Sequence, residues 1–160
     1  MRGERRGAVQ PADRLPALRS KGRASADLPP QNSIPVRSEV DIVFARQKGR
    51  ELAAALGFRP TDLTLIATAI SELARNIVLY AERGRIALKG IERNGRRGIM
   101  VVARDDGPGI PNVARALQSG FSTSGGLGLG LPGVKRLTDE FDIESAVGRG
   151  TTVTVKKWLR

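Results

Sequence analysis

Apolar and polar positions alternate along this chain with two periods, and the places where the period changes outline its elements. Over Glu39 to Gly57, Ile42, Ala45, Leu52 and Leu56 recur at helical spacing, which predicts an amphipathic helix ended by Gly57. From Pro60 to Ala81 the pattern is stronger: Leu63, Ile66, Ile70, Leu73, Ile77 and Tyr80 mark one face of a long helix. Arg85 to Arg93 and Arg97 to Asp105 then read as antiparallel strands joined at Asn94-Gly95, a hairpin signal. Within the second of these, Ile99 to Ala103 is continuously apolar, as suits a strand buried on both faces of a layered sheet. Val134, Leu137 and Phe141 return to helical spacing, and the chain closes with a second hairpin, Phe141 to Val147 and Thr151 to Trp158, across Gly148-Arg149-Gly150.

Two of these elements carry polar groups that core packing does not explain. Beside the core face of the long helix runs a line of Leu65, Ala69, Glu72, Asn76 and Leu79, so Glu72 and Asn76 project together, four residues apart, from an otherwise apolar strip. A carboxylate and an amide there face a desolvation cost unless a metal ion with its waters, a reacting hydroxyl or a neighbouring loop meets them. Helix spacing alone leaves these alternatives open. The apolar strand ends at Asp105, followed by Asp106-Gly107-Pro108-Gly109, strong turn chemistry.

Eight of the 19 glycines fall between Arg104 and Gly133. The segment Gly125 to Gly133 runs directly into a helical pattern, where free backbone N–H groups make an anion site. Gly128 to Gly133 also satisfies G-x-G-x-x-G, but Phe121-Ser122-Thr123-Ser124 precedes it where a dinucleotide fold requires a strand. Leucine alternating with glycine is poor linker composition. An ordered loop that cradles phosphate is the reading favoured.

Composition narrows the chemistry. The chain has 160 residues, 40% of them hydrophobic, enough for one domain with a core. It has no cysteine and no histidine. Disulfides, thiolate or imidazole metal sites, cysteine nucleophiles, serine–histidine triads and a self-contained histidine kinase are therefore excluded. The net charge is +11, of which residues 1–33 carry +4, so basicity is distributed along the chain. Those first residues are rich in Pro, Arg, Ser and Ala and read as a disordered basic tail, residues 1–33, ahead of one domain, residues 34–160. With 4% aromatic residues and no nucleic-acid signature, nucleic-acid binding ranks below a nucleotide site, and a basic surface equally suits an acidic protein partner. No apolar run approaches the roughly 20 residues that span a bilayer, and no signal-peptide core precedes the domain, so a soluble cytoplasmic protein is expected.

Taken in order, four motifs resemble those of the GHKL-type ATPases, the group of gyrase, heat-shock chaperone, histidine-kinase and MutL nucleotide-binding domains. Glu72 and Asn76 match E-x-x-x-N, and Asp105, Gly107 and Gly109 match D-x-G-x-G. Gly126, Gly128 and Gly130 match the glycine-rich motif, and Gly148, Gly150 and Thr151 match G-x-G-T. The stretches SELARNIVLYA, DDGPGI and STSGGLGLGLPGVKRL look most like the anti-sigma-factor serine/threonine kinases, in particular the RsbT-type switch kinases of stress-signalling complexes.

The resemblance implies an α+β sandwich of the Bergerat type: a mixed, mostly antiparallel sheet with helices on one face, holding ATP under a lid. It implies that Asp105 binds the adenine amino group, with Thr151 and Gly109 closing the base pocket beside Gly107. Asn76 would hold Mg²⁺, and the backbone of Gly126, Leu127, Gly128, Leu129 and Gly130 would neutralise phosphate, with Ser122, Thr123 and Ser124 as lid hydroxyls. Glu72 would accept the proton of an attacking protein hydroxyl. The implied substrate is a STAS-domain antagonist protein, and a serine phosphatase or a sigma factor are further implied partners. The alternatives are a noncatalytic, nucleotide-gated anti-sigma or interaction module and a plain ATPase in which Glu72 activates water.

Overall fold

The computed structural model describes residues 33–118 and 130–160. Its elements are β1 (Ser33–Val36), α1 (Glu39–Leu56), α2 (Pro60–Asn76), a π-helical turn (Ile77–Ala81), β2 (Gly84–Arg93), β3 (Arg96–Asp105), α3 (Val113–Ala116), α4 (Gly130–Leu137), β4 (Glu140–Ala146) and β5 (Gly150–Trp158). The five strands form one sheet in the order β1-β2-β3-β5-β4. The expected mostly antiparallel sheet is antiparallel at all four described pairings.

Strand alternation sorts the sheet into two unlike faces. One face presents Ile34, Val36, Ile86, Leu88, Ile99, Val101, Ala103, Val153 and Val155, all buried in a single core with Ile42, Ala45 and Ala53 of α1, Ile66, Ile70, Leu73 and Ala74 of α2, and Leu131 and Val134 of α4. The helices therefore cover one face, as the resemblance implies. On the opposite face Ala87, Met100 and Val102 form a small buried cluster, which accounts for the unbroken apolar run from Ile99 to Ala103. Trp158 lies on that outer face. Its Nε1 donates to Glu140 Oε2 at 2.8 Å, and the Arg93 guanidinium stacks 4.5 Å from its ring centre while bonding Glu140.

Local chemistry explains most boundaries. Pro60 opens α2 within its first turn, where its missing N–H costs nothing. At the end of α1 the amides of Gly57 and Phe58 bond back to Ala54 and Ala53. The β2–β3 turn places Asn94 at φ 54°, in the left-handed region that the Asn-Gly pair favours.

Two expectations are corrected. The helical spacing of Val134, Leu137 and Phe141 does not describe one helix: α4 ends at Leu137, and Phe141 belongs to β4, paired with Val155. The Asp139 amide bonds the Lys156 carbonyl at 2.9 Å, so the chain joins the sheet edge before another helical turn can form. Also, the continuous helix Pro60–Ala81, 22 residues long, is long and apolar enough to cross a membrane by length and composition. It is the central helix of the core: Ile66, Ile70, Leu73 and Ile77 pack on the sheet, and the helix carries Asp62, Glu72 and Arg75.

Candidate functional site

The β3 strand delivers Asp105 to the end of the sheet, at the edge of the helical layer. Register places Asp105 directly opposite Thr151 of β5 and opposite Gly84 of β2, and Thr151 opposite Ser145 of β4. Ser145, Thr151 and Asp105 thus form one transverse row. The two glycines flanking this row are required by geometry. Gly109 has φ 81° and lies against the Ala146 carbonyl, and Gly150 has φ 86° and lies against the Asp105 carbonyl, so a side chain at either would be strained and would strike backbone.

The Asp105 carboxylate is held from within its own turn, accepting the Gly107 amide on Oδ1 at 2.9 Å. Burial pushes its pKa above the ordinary carboxylate value, against the opposing pull of the Gly107 and Thr151 amides. Gly107 therefore orients Asp105, and its own Cα packs on Ala81. A second tie closes the loop onto the hairpin: the Gly148 amide bonds the Pro108 carbonyl at 2.8 Å.

Above this row opens a cavity of about 320 Å³, a size suited to part of a small-molecule ligand. Asp105, Gly109 and Thr151 lie on its wall, and so do Asn76 and Gly130, brought from α2 and α4. Its apolar walls are Leu73, Ile77, Tyr80, Ala103, Ile110, Leu131 and Val153. A flat apolar ring enclosed by such walls, with a carboxylate on one edge, is the arrangement a purine base requires. The π-helical turn directly after Asn76 contributes Ile77, Tyr80 and Ala81, and such turns concentrate at functional sites.

Glu72 is 3% exposed and does not line the cavity; its Oε2 accepts the Gly130 amide at 3.3 Å, tying α2 to the first residue of α4. Glu72 and Asn76 therefore both reach the α4 end of the site, as their shared helix line requires. Among the described residues no group of three acidic, histidine or cysteine side chains gathers to hold a metal. Asn76 is the amide oxygen available, a donor set that fits Mg²⁺ carried in by phosphate oxygens and completed by water. Ser122, Thr123, Ser124, Gly126, Leu127, Gly128 and Leu129 lie outside the described residues.

Sequence patterning missed the cavity's apolar walls. Leu73, Ile77 and Tyr80 read as ordinary core positions on a helix face, and the same face also lines the cavity. Ser145 was missed as well; its one signal was its place in a hairpin whose far strand begins with the G-x-G-T motif.

Residues 61–160 match the family described as histidine kinase-, DNA gyrase B-, and HSP90-like ATPase. The chain is 52% identical over 130 residues, 81% of its length and 98% of the relative's, to the serine/threonine-protein kinase RsbT of Bacillus subtilis (strain 168). It is 32% identical over 121 residues to the anti-sigma F factor of Geobacillus stearothermophilus, covering 71% of this chain and 82% of that one. Among solved structures, that of the RsbU and RsbW domains of Rv1364c from Mycobacterium tuberculosis aligns with a TM-score of 0.52 at 21% identity, over 78% of this chain and 32% of that one, a likeness of fold.

Proposed function

The chain belongs to the family of histidine kinase-, DNA gyrase B- and HSP90-like ATPases, and from that premise we propose that it is a serine/threonine protein kinase of the switch type, using ATP to phosphorylate a STAS-domain antagonist protein. The observation that carries this reading is the cavity itself: the half-buried Asp105 carboxylate among apolar walls at one end, and Asn76 and Gly130 at the other, with Glu72 behind the wall on the Gly130 amide. The first end suits an adenine ring, the second a reacting phosphoryl group.

In this reading Asp105 accepts the exocyclic amine of the base, and Leu73, Ile77 and Val153 pack on the ring. A carboxylate acceptor selects adenine because guanine presents a carbonyl at the same position. Asn76 would hold Mg²⁺, whose charge, when bound, offsets that of the phosphates. Glu72 accepts the proton of the substrate hydroxyl as its oxygen forms the new P–O bond and ADP leaves. The Gly130 amide occupies only one lone pair of Glu72 Oε2, so the carboxylate keeps acceptor sites for the incoming hydroxyl. The cytoplasm, where ATP is supplied, is the compartment this chemistry requires. A serine phosphatase or a sigma factor is the further partner this reading allows, and the net charge of +11 suits an acidic one.

The test is transfer from labelled Mg·ATP to a candidate STAS-domain protein. Glu72→Gln should retain ATP affinity within about twofold and lose transfer by at least about 100-fold, the scale of a general base. Unimpaired transfer by Glu72→Gln would sink this assignment. Binding by the wild type without transfer to any STAS protein would favour the nucleotide-gated interaction module.

A further inference from the structure

Ser145 lies off the cavity wall, beside Thr151 on the neighbouring strand, and its hydroxyl is engaged on three sides. It accepts the Ile110 amide at 2.8 Å, donates to the Gly150 carbonyl at 3.1 Å, and meets Thr151 Oγ1 at 2.7 Å. A serine hydroxyl owns one proton and two lone pairs. With the proton on the Gly150 carbonyl and one lone pair taken by Ile110, the short contact to Thr151 forms only if Thr151 supplies the proton. The Thr151 hydroxyl is then spent as a donor, and the lone pairs it turns to the cavity can only accept.

We infer that Ser145 is a positioning residue that fixes Thr151 as an obligate acceptor beside Asp105, so that this end of the cavity admits a purine bearing a 6-amino group and rejects one bearing a 6-oxo group. The inference rests on the base-site reading above and deepens it. An ionised Asp105 presents acceptors alone, but a freely rotating threonine next to it would turn its proton toward a 6-oxo ligand and rescue the mismatch. The Ser145 network removes that rescue. Its second consequence is mechanical: one hydroxyl joins the loop after Gly109 to the β4–β5 hairpin, so the acceptor row and the wall at Ile110 move as one body.

The probe pair is ATP and inosine triphosphate, which differ at the 6-position and the adjoining ring nitrogen, with dissociation constants measured by calorimetry on the full chain. Ser145→Ala should lower the preference for ATP by about 3- to 10-fold, the worth of one hydrogen bond. Ser145→Thr, which keeps a hydroxyl, should retain it. Thr151→Val should lower the preference by itself, and adding Ser145→Ala to Thr151→Val should change it no further.

An unaltered preference in Ser145→Ala or in Thr151→Val overturns the inference. So does a Ser145→Ala effect that persists in the Thr151→Val background, because Ser145 would then act without Thr151. Should Ser145→Ala not fold, the Thr151→Val and Ser145→Thr measurements decide alone. A wild type that binds both nucleotides equally would remove the base-site reading itself, a failure distinct from these.

Discussion

Asp105 stands where stability and binding oppose each other. Its pKa is raised by burial, so between the unfolded value of 3.8 and the higher folded value the folded chain holds more protons than the unfolded one. Stability therefore falls as pH rises through that window, and above it the buried charge is a standing cost. Asp105→Asn should unfold at a temperature no lower than wild type at pH 7 without nucleotide, and any advantage should shrink as pH falls towards 3.8; thermal melts across pH read both. The same variant should bind ATP roughly 10- to 100-fold more weakly, since a charge-assisted bond is lost. Asp105 was legible in the sequence only in company: Asp-Asp-Gly-Pro-Gly alone is ordinary turn chemistry, and its order with Glu72 and Asn76 before it and the glycine-rich and G-x-G-T stretches after it is what singles it out. Ser145 was not, since a serine in a hairpin becomes informative only when register sets it opposite Thr151.

At the scale of elements, the edge strand β4 is clamped across the sheet to β2. Arg93 of β2 reaches over β3 and β5 to bond both carboxylate oxygens of Glu140 on β4, and Trp158 of β5 donates to the same carboxylate. These bonds hold the Glu140 pKa below its ordinary value of 4.5, so their stabilisation is present above that value and is lost as pH falls through the depressed one. Glu140→Ala should destabilise the protein by about 1–2 kcal/mol, less for the exposed ion pair than for the tryptophan N–H left without a partner, as denaturant titration will show. The two hairpins and the two long helices were legible because their periods repeat over many residues. The end of α4 was not, because Phe141 satisfies helical spacing and strand alternation equally, and the pairing of β4 with β5 decides between them. Nor was the π turn after Asn76: it leaves no trace in hydrophobic periodicity, yet its residues Ile77, Tyr80 and Ala81 line the cavity.

For the whole molecule, a site built from α2, β3, α4 and β5 couples ligand binding to global stability. Saturation with Mg·ATP at about 100 times its dissociation constant should add about 2.7 kcal/mol, visible as a higher melting temperature in the wild type and cut to about 0.4–1.4 kcal/mol in Asp105→Asn at the same concentration. The nucleotide reading also separates itself from nucleic-acid binding here. Association driven by phosphate neutralisation falls steeply with salt, whereas the base end of this cavity is apolar and its occupancy depends weakly on salt.

The sequence by itself determined the two long helices and two hairpins, the ordered motif positions Glu72, Asn76, Asp105, Gly109 and Thr151, and the exclusion of thiol and imidazole chemistry. Those are local properties: period, turn chemistry and residue type are written along the chain. Tertiary structure decided which of these groups meet. Antiparallel register sets Ser145, Thr151 and Asp105 in one row, and helix packing carries Asn76 and Gly130 to the cavity above it. The direction of the Thr151 proton belongs to the same level, because it follows from three partners of Ser145 that lie 5, 6 and 35 residues from it and meet it only in the folded chain. Contacts between residues far apart in sequence are fixed by burial of the common core, and no local pattern encodes them.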